Sequence, residues 1–469
     1  MASDGATVER LRQFLGELGP NSRALLIAEF ERSLLRGEDN AAADLVLREL
    51  RSLMRESDRP PPRIGNSARL FFRPLEPFLV DDVADHKHPG RIARASLEPM
   101  WTWIRRDLLP DEAKEYSDEV SKALLDNDKA KAEALTVAFQ DKVAGRIESA
   151  FTAAKAEEKA RRRLIAQIGT PRASEDVSGL LTVLKARDAL DDLAKRLPGH
   201  IQNLNDATLD NTKALVDAAA NYDPEVLLYA LLVVMSRLAA PWQLTRLAVK
   251  AADSDVAARV ADTPYAVAVT IVLAEVERLV GELRTDLKSG RGVAVTTLLK
   301  LIHDAARGLR TEMDLSVDSV WSRSLAALRT QISELLKSEI ESTPGRVRRL
   351  LRPRPSKEIR PGSVLDLGDI AEVEGLIEFV GACRNFAGEL AISEMTQRTF
   401  SELQQYLDVT SQALLDGLRH AGDGDRTFRQ SQVDASVRFC AKAFGKEYAS
   451  SLSKASGVAA ASERKAAKG

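Results

Sequence analysis

The residues best suited to chemistry lie close together near the first quarter of the chain. Asp81, Asp82 and Asp85 spell Asp-Asp-x-x-Asp, and His86 and His88 follow at once. On a helix, Asp81 and Asp85 stand one turn apart on one face, where two carboxylates can share a Mg²⁺. The two histidines could contribute to a transition-metal site, but two imidazoles make an incomplete ligand set. The competing reading is a solvated acidic segment that runs into the turn His88-Pro89-Gly90.

Taken alone, the Asp81, Asp82, Asp85 pattern resembles the first aspartate motif of the isoprenoid synthases. That resemblance implies an all-α fold and Mg²⁺-dependent transfer or cyclisation of prenyl diphosphates, with these three aspartates as metal ligands. It covers about ten residues. A second Asp-Asp-x-x-Asp, an Asn-Ser-Glu type motif downstream and a Gly-Gly-Lys-x-x-Arg-Pro stretch upstream are all missing from the sequence. Nothing in the pattern therefore supplies the opposite wall of a diphosphate site.

A second concentration of functional side chains is basic. Residues 343–362 hold six arginines and Lys357 against a single acid, Glu358. Arg346, Arg348, Arg349, Arg352 and Arg354 are the candidate anion ligands, because clustered guanidiniums contact phosphates on nucleic acid or anionic lipid. Leu350 and Leu351, interleaved with them, could add a shallow apolar anchor. The alternative is a solvated connector whose charge balances acidic neighbours. Four prolines in the stretch, Pro344, Pro353, Pro355 and Pro361, argue for an extended, protease-accessible linker.

The remaining chemistry-bearing residues read as structural. Cys383 and Cys440 sit on apolar stripes and form no CxxC or Cys/His zinc spacing. Unbridged, they fit a reducing, cytoplasmic setting. His200, His303 and His420 are far apart in sequence. Residues 423–426 lack the calcium-loop spacing, and residues 289–292 lack a phosphate-loop context. Trp101 and Trp103 suggest one core ring and one ring at a segment interface. No cofactor is implied.

These residues must be positioned by helices. Aromatics are only 5% of the 469 residues, alternating strand patterns are scarce, and apolar residues recur every three or four positions. The fold class expected is all-α: an elongated set of helical hairpins and bundles with long amphipathic helices. One helix is expected over much of 129–168, where Leu135, Phe139, Val143, Ile147 and Phe151 share a face. Asp223-Pro224 should open a nearly all-apolar, deeply buried helix. The stripe Val317, Trp321, Leu325, Leu328, Ile332 and Leu335 approaches a coiled-coil seam. The stripe Val433, Val437, Cys440, Phe444, Tyr448 and Leu452 predicts one last helix. The longest apolar run, 226–235, is about half the roughly 20 residues a membrane span needs.

Breaks divide the chain into a helical hairpin at 1–57, a Pro-rich linker at 58–66 and a multi-helix body at 67–342. The basic linker at 343–363, a helical module at 364–453 and a disordered tail at 454–469 follow. Net charge is −2, which excludes a globally basic nucleic-acid-binding domain. Arginine outnumbers lysine 46 to 21, a composition compatible with a GC-rich bacterial genome. The function expected is a non-enzymatic cytoplasmic scaffold that binds a protein partner or itself. Two alternatives follow from the side chains above: an anion-binding regulator acting through 346–360, and a Mg²⁺-dependent enzyme at Asp81, Asp82 and Asp85.

Overall fold

The computed structural model describes residues 15, 18, 20–35, 46, 47, 50, 66–81, 87–289 and 292–466. Helix dominates throughout, and the only strands among the described residues are two of two residues each, paired in parallel. The chain divides into two compact units. The first comprises Met1–Pro198 with Thr212–Ser236, and the second Gly199–Asn211 with Arg237–Gly469. The break expected at 343–363 therefore falls inside the second unit.

In the first unit, α1 (Pro20–Leu35) contributes Ile27 to an apolar cluster with Leu15, Leu47 and Leu50. Helix α2 (Ser67–Phe72) opens on Asn66, whose side chain accepts from the Arg69 N–H, and runs into a 3₁₀ turn, Arg73–Phe78. Strands β1 (Leu79–Val80) and β2 (Ile92–Ala93) lead to α3 (Leu97–Trp103), which passes through a π turn, Ile104–Leu108. Helices α4 (Pro110–Leu125), α5 (Lys129–Ala156), α6 (Glu158–Ile168) and α7 (Pro171–Arg196) follow, then α8 (Asp206–Ala220), of which residues 212–220 belong to this unit, and α9 (Pro224–Met235). Trp101 packs against Phe71, Phe72, Tyr116 and Phe139. Both Trp101 and Trp103 are buried, Trp101 where rings from several segments meet. The apolar helix is α9: Asp223 caps it, and Tyr229 to Met235 are buried in succession.

The single helix expected over 129–168 is two. Glu157 adopts an extended backbone, and α6 turns back onto α5. No proline or glycine marks this break. Folding back lets Leu164 and Ile168 be buried, which outweighs the helical bonds lost at one residue.

The second unit continues with a 3₁₀ turn (Pro241–Leu244), α10 (Thr245–Ala252), α11 (Ala257–Ala261), α12 (Ala266–Ser289) and α13 (Gly292–Glu312). Helices α14 (Val320–Leu351), α15 (Leu367–Leu390), α16 (Ser393–Arg419), α17 (Arg426–Ala443) and α18 (Lys446–Ala466) complete it. Three expectations are corrected here. Helix α14 runs straight through Pro344 to Leu351, because Thr343, Pro344, Val347, Leu350 and Leu351 are buried and burial overrides the helix-breaking residue. The final stripe is interrupted at Gly445, whose φ of +96° separates α17, capped by Phe444, from α18. The tail is helical to Ala466, with Leu452, Ser456 and Ala459 buried on one face.

Candidate interaction site

A cleft of about 620 Å³ in the second unit lies between α12, α13 and the turn at 239–243. Val272, Val276 and Leu279 of α12, spaced four and three residues apart, form a buried apolar floor. Leu301, 40% exposed, stands on the opposite wall from α13. Trp242 forms one end. Its seat exists because residue 308 has no side chain: a Cβ at Gly308 would lie 2.3 Å from Trp242 Cδ2. The Arg246 guanidinium sits 5.9 Å from the Trp242 ring centroid and donates to Glu312 at 2.7 and 2.9 Å and to the Leu204 carbonyl. Gln243 completes the frame. Its Oε1 accepts from the Leu204 N–H at 2.6 Å, and its Nε2 donates to the Gln202 carbonyl. The tryptophan thus rests against Gly308 and Arg246, on a turn that Gln243 ties to residues 202–204.

The rims carry charge in pairs. On α12, Arg278 donates to Glu275 and Glu282, each at 2.9 Å. Burial works against the Arg278 charge, but the two carboxylates hold its pKa above the ordinary guanidinium value. On α13, Lys300 donates to Asp304 at 2.6 Å, and His303 Nδ1 lies 3.0 Å from the same carboxylate. Burial pushes Asp304 up, and hydrogen bonds from Lys300 and His303 outweigh it, leaving the carboxyl below its usual range. Arg307, also on this wall, is exposed and forms no ion pair among the described residues.

The residues singled out in the sequence lie elsewhere. Asp81 sits in a bend just after β1, not inside a helix, and accepts from Arg94 Nε at 2.7 Å. Asp82, Asp85 and His86 lie outside the described residues. Among the described residues, no three His, Cys, Asp or Glu side chains converge as a metal site. The carboxylate that matters in this part of the first unit is one that the sequence reading missed. Asp176 on α7 is fully buried, accepts from the Ala93 N–H at 3.0 Å and Ser96 Oγ at 2.8 Å, and faces Lys87 Nζ at 3.0 Å and Arg172 Nε at 3.7 Å. It anchors the strand segment to α7. Its position on an amphipathic helix gave no sequence signal beyond one acidic residue on an otherwise apolar face.

The arginines of 346–354 are largely committed to carboxylates. Arg346 pairs with Glu372 of α15 and with Glu339, 3.8 Å away. Arg348 pairs with Glu402 of α16 at 2.5 Å and lies over the Tyr406 ring. Arg352 donates to Glu358. Arg354 covers Phe428 at 5.0 Å, and Arg349 is exposed. Leu350 and Leu351 are buried and cannot act as a surface anchor. Cys383 and Cys440 are free, fully buried thiols, pushed by burial up to about 12 and about 11 respectively. His420 Nδ1 lies 2.8 Å from the Asp416 carbonyl at the end of α16. No helix among the described residues is long and apolar enough to cross a membrane.

No protein-family model, curated protein or solved structure matches this chain.

Proposed function

We propose that this chain is a non-enzymatic helical interaction protein whose α12–α13 groove receives one face of an amphipathic helix from a protein partner. The observation that carries this reading is the groove itself. Its apolar floor is flanked by ion pairs of both signs one turn apart, on Arg278 and Lys300, and closed at one end by a pre-seated Trp242. An amphipathic helix presents the complement: an apolar stripe at i, i+3, i+4 and i+7 between charged flanks. Walls made of packed helices need little ordering on binding, which lowers the cost of association. A reducing cytoplasm suits the two buried, unbridged cysteines, and the arginine-rich composition suits a bacterial source.

The test is selection of roughly 20-residue displayed peptides on the full chain, repeated with Leu301→Asp. Leu301 is exposed enough for the charge to be tolerated without loss of fold. Enriched peptides with three- and four-residue apolar spacing, which bind at least tenfold more weakly to the variant, are the expected result, since a charge in an apolar contact is costly to desolvate. Enrichment without that spacing, or binding indifferent to Leu301→Asp, sinks the reading. Concentration-dependent self-association abolished by the same change would make the occupant a second copy.

A further inference from the structure

The segment that joins α14 to α15 carries a second surface, separate from the groove. A cleft of about 380 Å³ opens between the end of α14, residues 358–366 and the start of α15. Arg349, Arg354 and Arg360 line it, and Lys357 stands exposed on the same segment. The cleft also holds Glu358, Asp366 and Asp369. Glu358 is taken by Arg352, and Asp366 Oδ1 accepts from the Asp369 N–H at 3.0 Å as the cap of α15. Asp369 is the one carboxylate of the cleft whose side chain has no partner among the described residues. The lining itself is balanced, three guanidiniums to three carboxylates; with Arg352, which pairs with Glu358, and the exposed Lys357 of the same segment, five cations stand against three acids, a surplus of two.

Two exposed apolar side chains lie on the same stretch of chain, Val364 lining the cleft with the arginines and Leu367 at the first residue of α15. Val364 is 60% exposed and Leu367 74% exposed, three residues apart at the entry to α15. Cations that ring exposed aliphatic side chains are suited to the headgroup boundary of an anionic bilayer, where the aliphatic groups enter the acyl edge and the guanidiniums meet phosphate. Single-stranded nucleic acid would instead favour an open aromatic face for stacking. The one aromatic ring here, Phe428, is 5% exposed and covered by Arg354.

We infer that this edge docks on anionic phospholipid, with Arg349, Arg354 and Arg360 on headgroup phosphates and Val364 and Leu367 inserted between them. The surface is rigid rather than a loose linker. Gln432 Nε2 donates to the carbonyls of Leu350 and Arg352, Arg429 Nη2 donates to the Arg354 carbonyl and to Ser356 Oγ, and the Leu365 N–H donates to Ser431 Oγ.

The test uses the full chain with vesicles of phosphatidylglycerol and phosphatidylcholine, compared with phosphatidylcholine alone, in a flotation assay. Two variants, Arg349→Gln with Arg360→Gln and Val364→Asn with Leu367→Asn, change exposed side chains only, and unchanged circular dichroism checks their fold. Binding to the anionic vesicles alone is expected, weakened tenfold or more in each variant, given about 1 kcal/mol per basic residue near such a surface. Leu301→Asp should leave it intact, which separates this surface from the groove. Failure to float with anionic vesicles, or equal binding by either variant, overturns the proposal. Displacement by inorganic phosphate would assign the cleft to a free anion instead. Binding of duplex DNA or RNA that depends on the arginines but not on Val364 and Leu367 would assign it to nucleic acid.

Discussion

Single atoms decide two close approaches. At Gly308, an added methyl would enter the Trp242 ring, so Gly308→Ala should unseat the tryptophan and lower stability by about 1–3 kcal/mol, the usual cost of overpacking. Urea denaturation together with tryptophan emission checks it: a red-shifted emission with an unchanged midpoint would mean that the ring moved without strain. Asp176 is the other case. Its charge is fully buried opposite Lys87 and Arg172, and removing one partner of such a set leaves the others uncompensated. Asp176→Ala should cost about 3–5 kcal/mol. A loss below 1 kcal/mol in the same denaturation experiment would show that water reaches the remaining cations. Tyr229, which lies 2.5 Å from the position a Cβ on Gly179 would take, keeps the α7–α9 contact tight in the same way.

At the scale of elements, the strap between α14 and α15 depends on one carboxylate. Asp425 Oδ2 accepts from Ser356 Oγ and from Arg429 Nε, both at 2.7 Å. Burial pushes this carboxyl up, yet those two hydrogen bonds and the Arg429 charge hold it below its usual range. A depressed folded pKa means that its stabilising contribution is fully present above the unfolded value, near about 4, and is lost as pH falls through the lower folded value. Protection of the Leu365 amide from hydrogen exchange, corrected for intrinsic rates, should therefore fall below about pH 4. Asp425→Asn should reproduce the loss at neutral pH and expose the Lys357–Glu358 bond to trypsin. A strap equally protected in the variant would assign its order to Ile359 and Leu365 burial alone.

For the molecule as a whole, helix burial sets both the spectrum and the thiol chemistry. Far-ultraviolet circular dichroism should show a strongly helical chain with negligible sheet. Cys383 and Cys440 have no exposure, and their elevated pKa values suppress thiolate. Ellman's reagent should find neither thiol in the native protein and two on unfolding. Rapid native labelling of either would reveal local opening of α15 or α17.

The sequence by itself determined the helical class, because three- and four-residue apolar spacing is a property of each segment that survives in any all-α packing. It located α9 through Asp223-Pro224 and placed both cysteines in the core. Local signals failed where tertiary burial overrode them. Pro344 reads as a helix breaker, yet α14 continues because its last two turns are buried. Glu157 carries no break signal, yet the chain turns there to bury Leu164 and Ile168. The arginines of 346–354 read as one patch. Only the packing of α14 against α15 and α16 assigned Arg346 and Arg348 to carboxylates 26 and 54 positions away and left Arg349, Arg354 and Arg360 around a cleft. The groove beside Trp242 was invisible for the same reason: its floor, its end and the glycine that admits the ring come from segments dozens of residues apart. A charge or a cleft becomes a site only through what packs beside it, and that is a property of the folded chain.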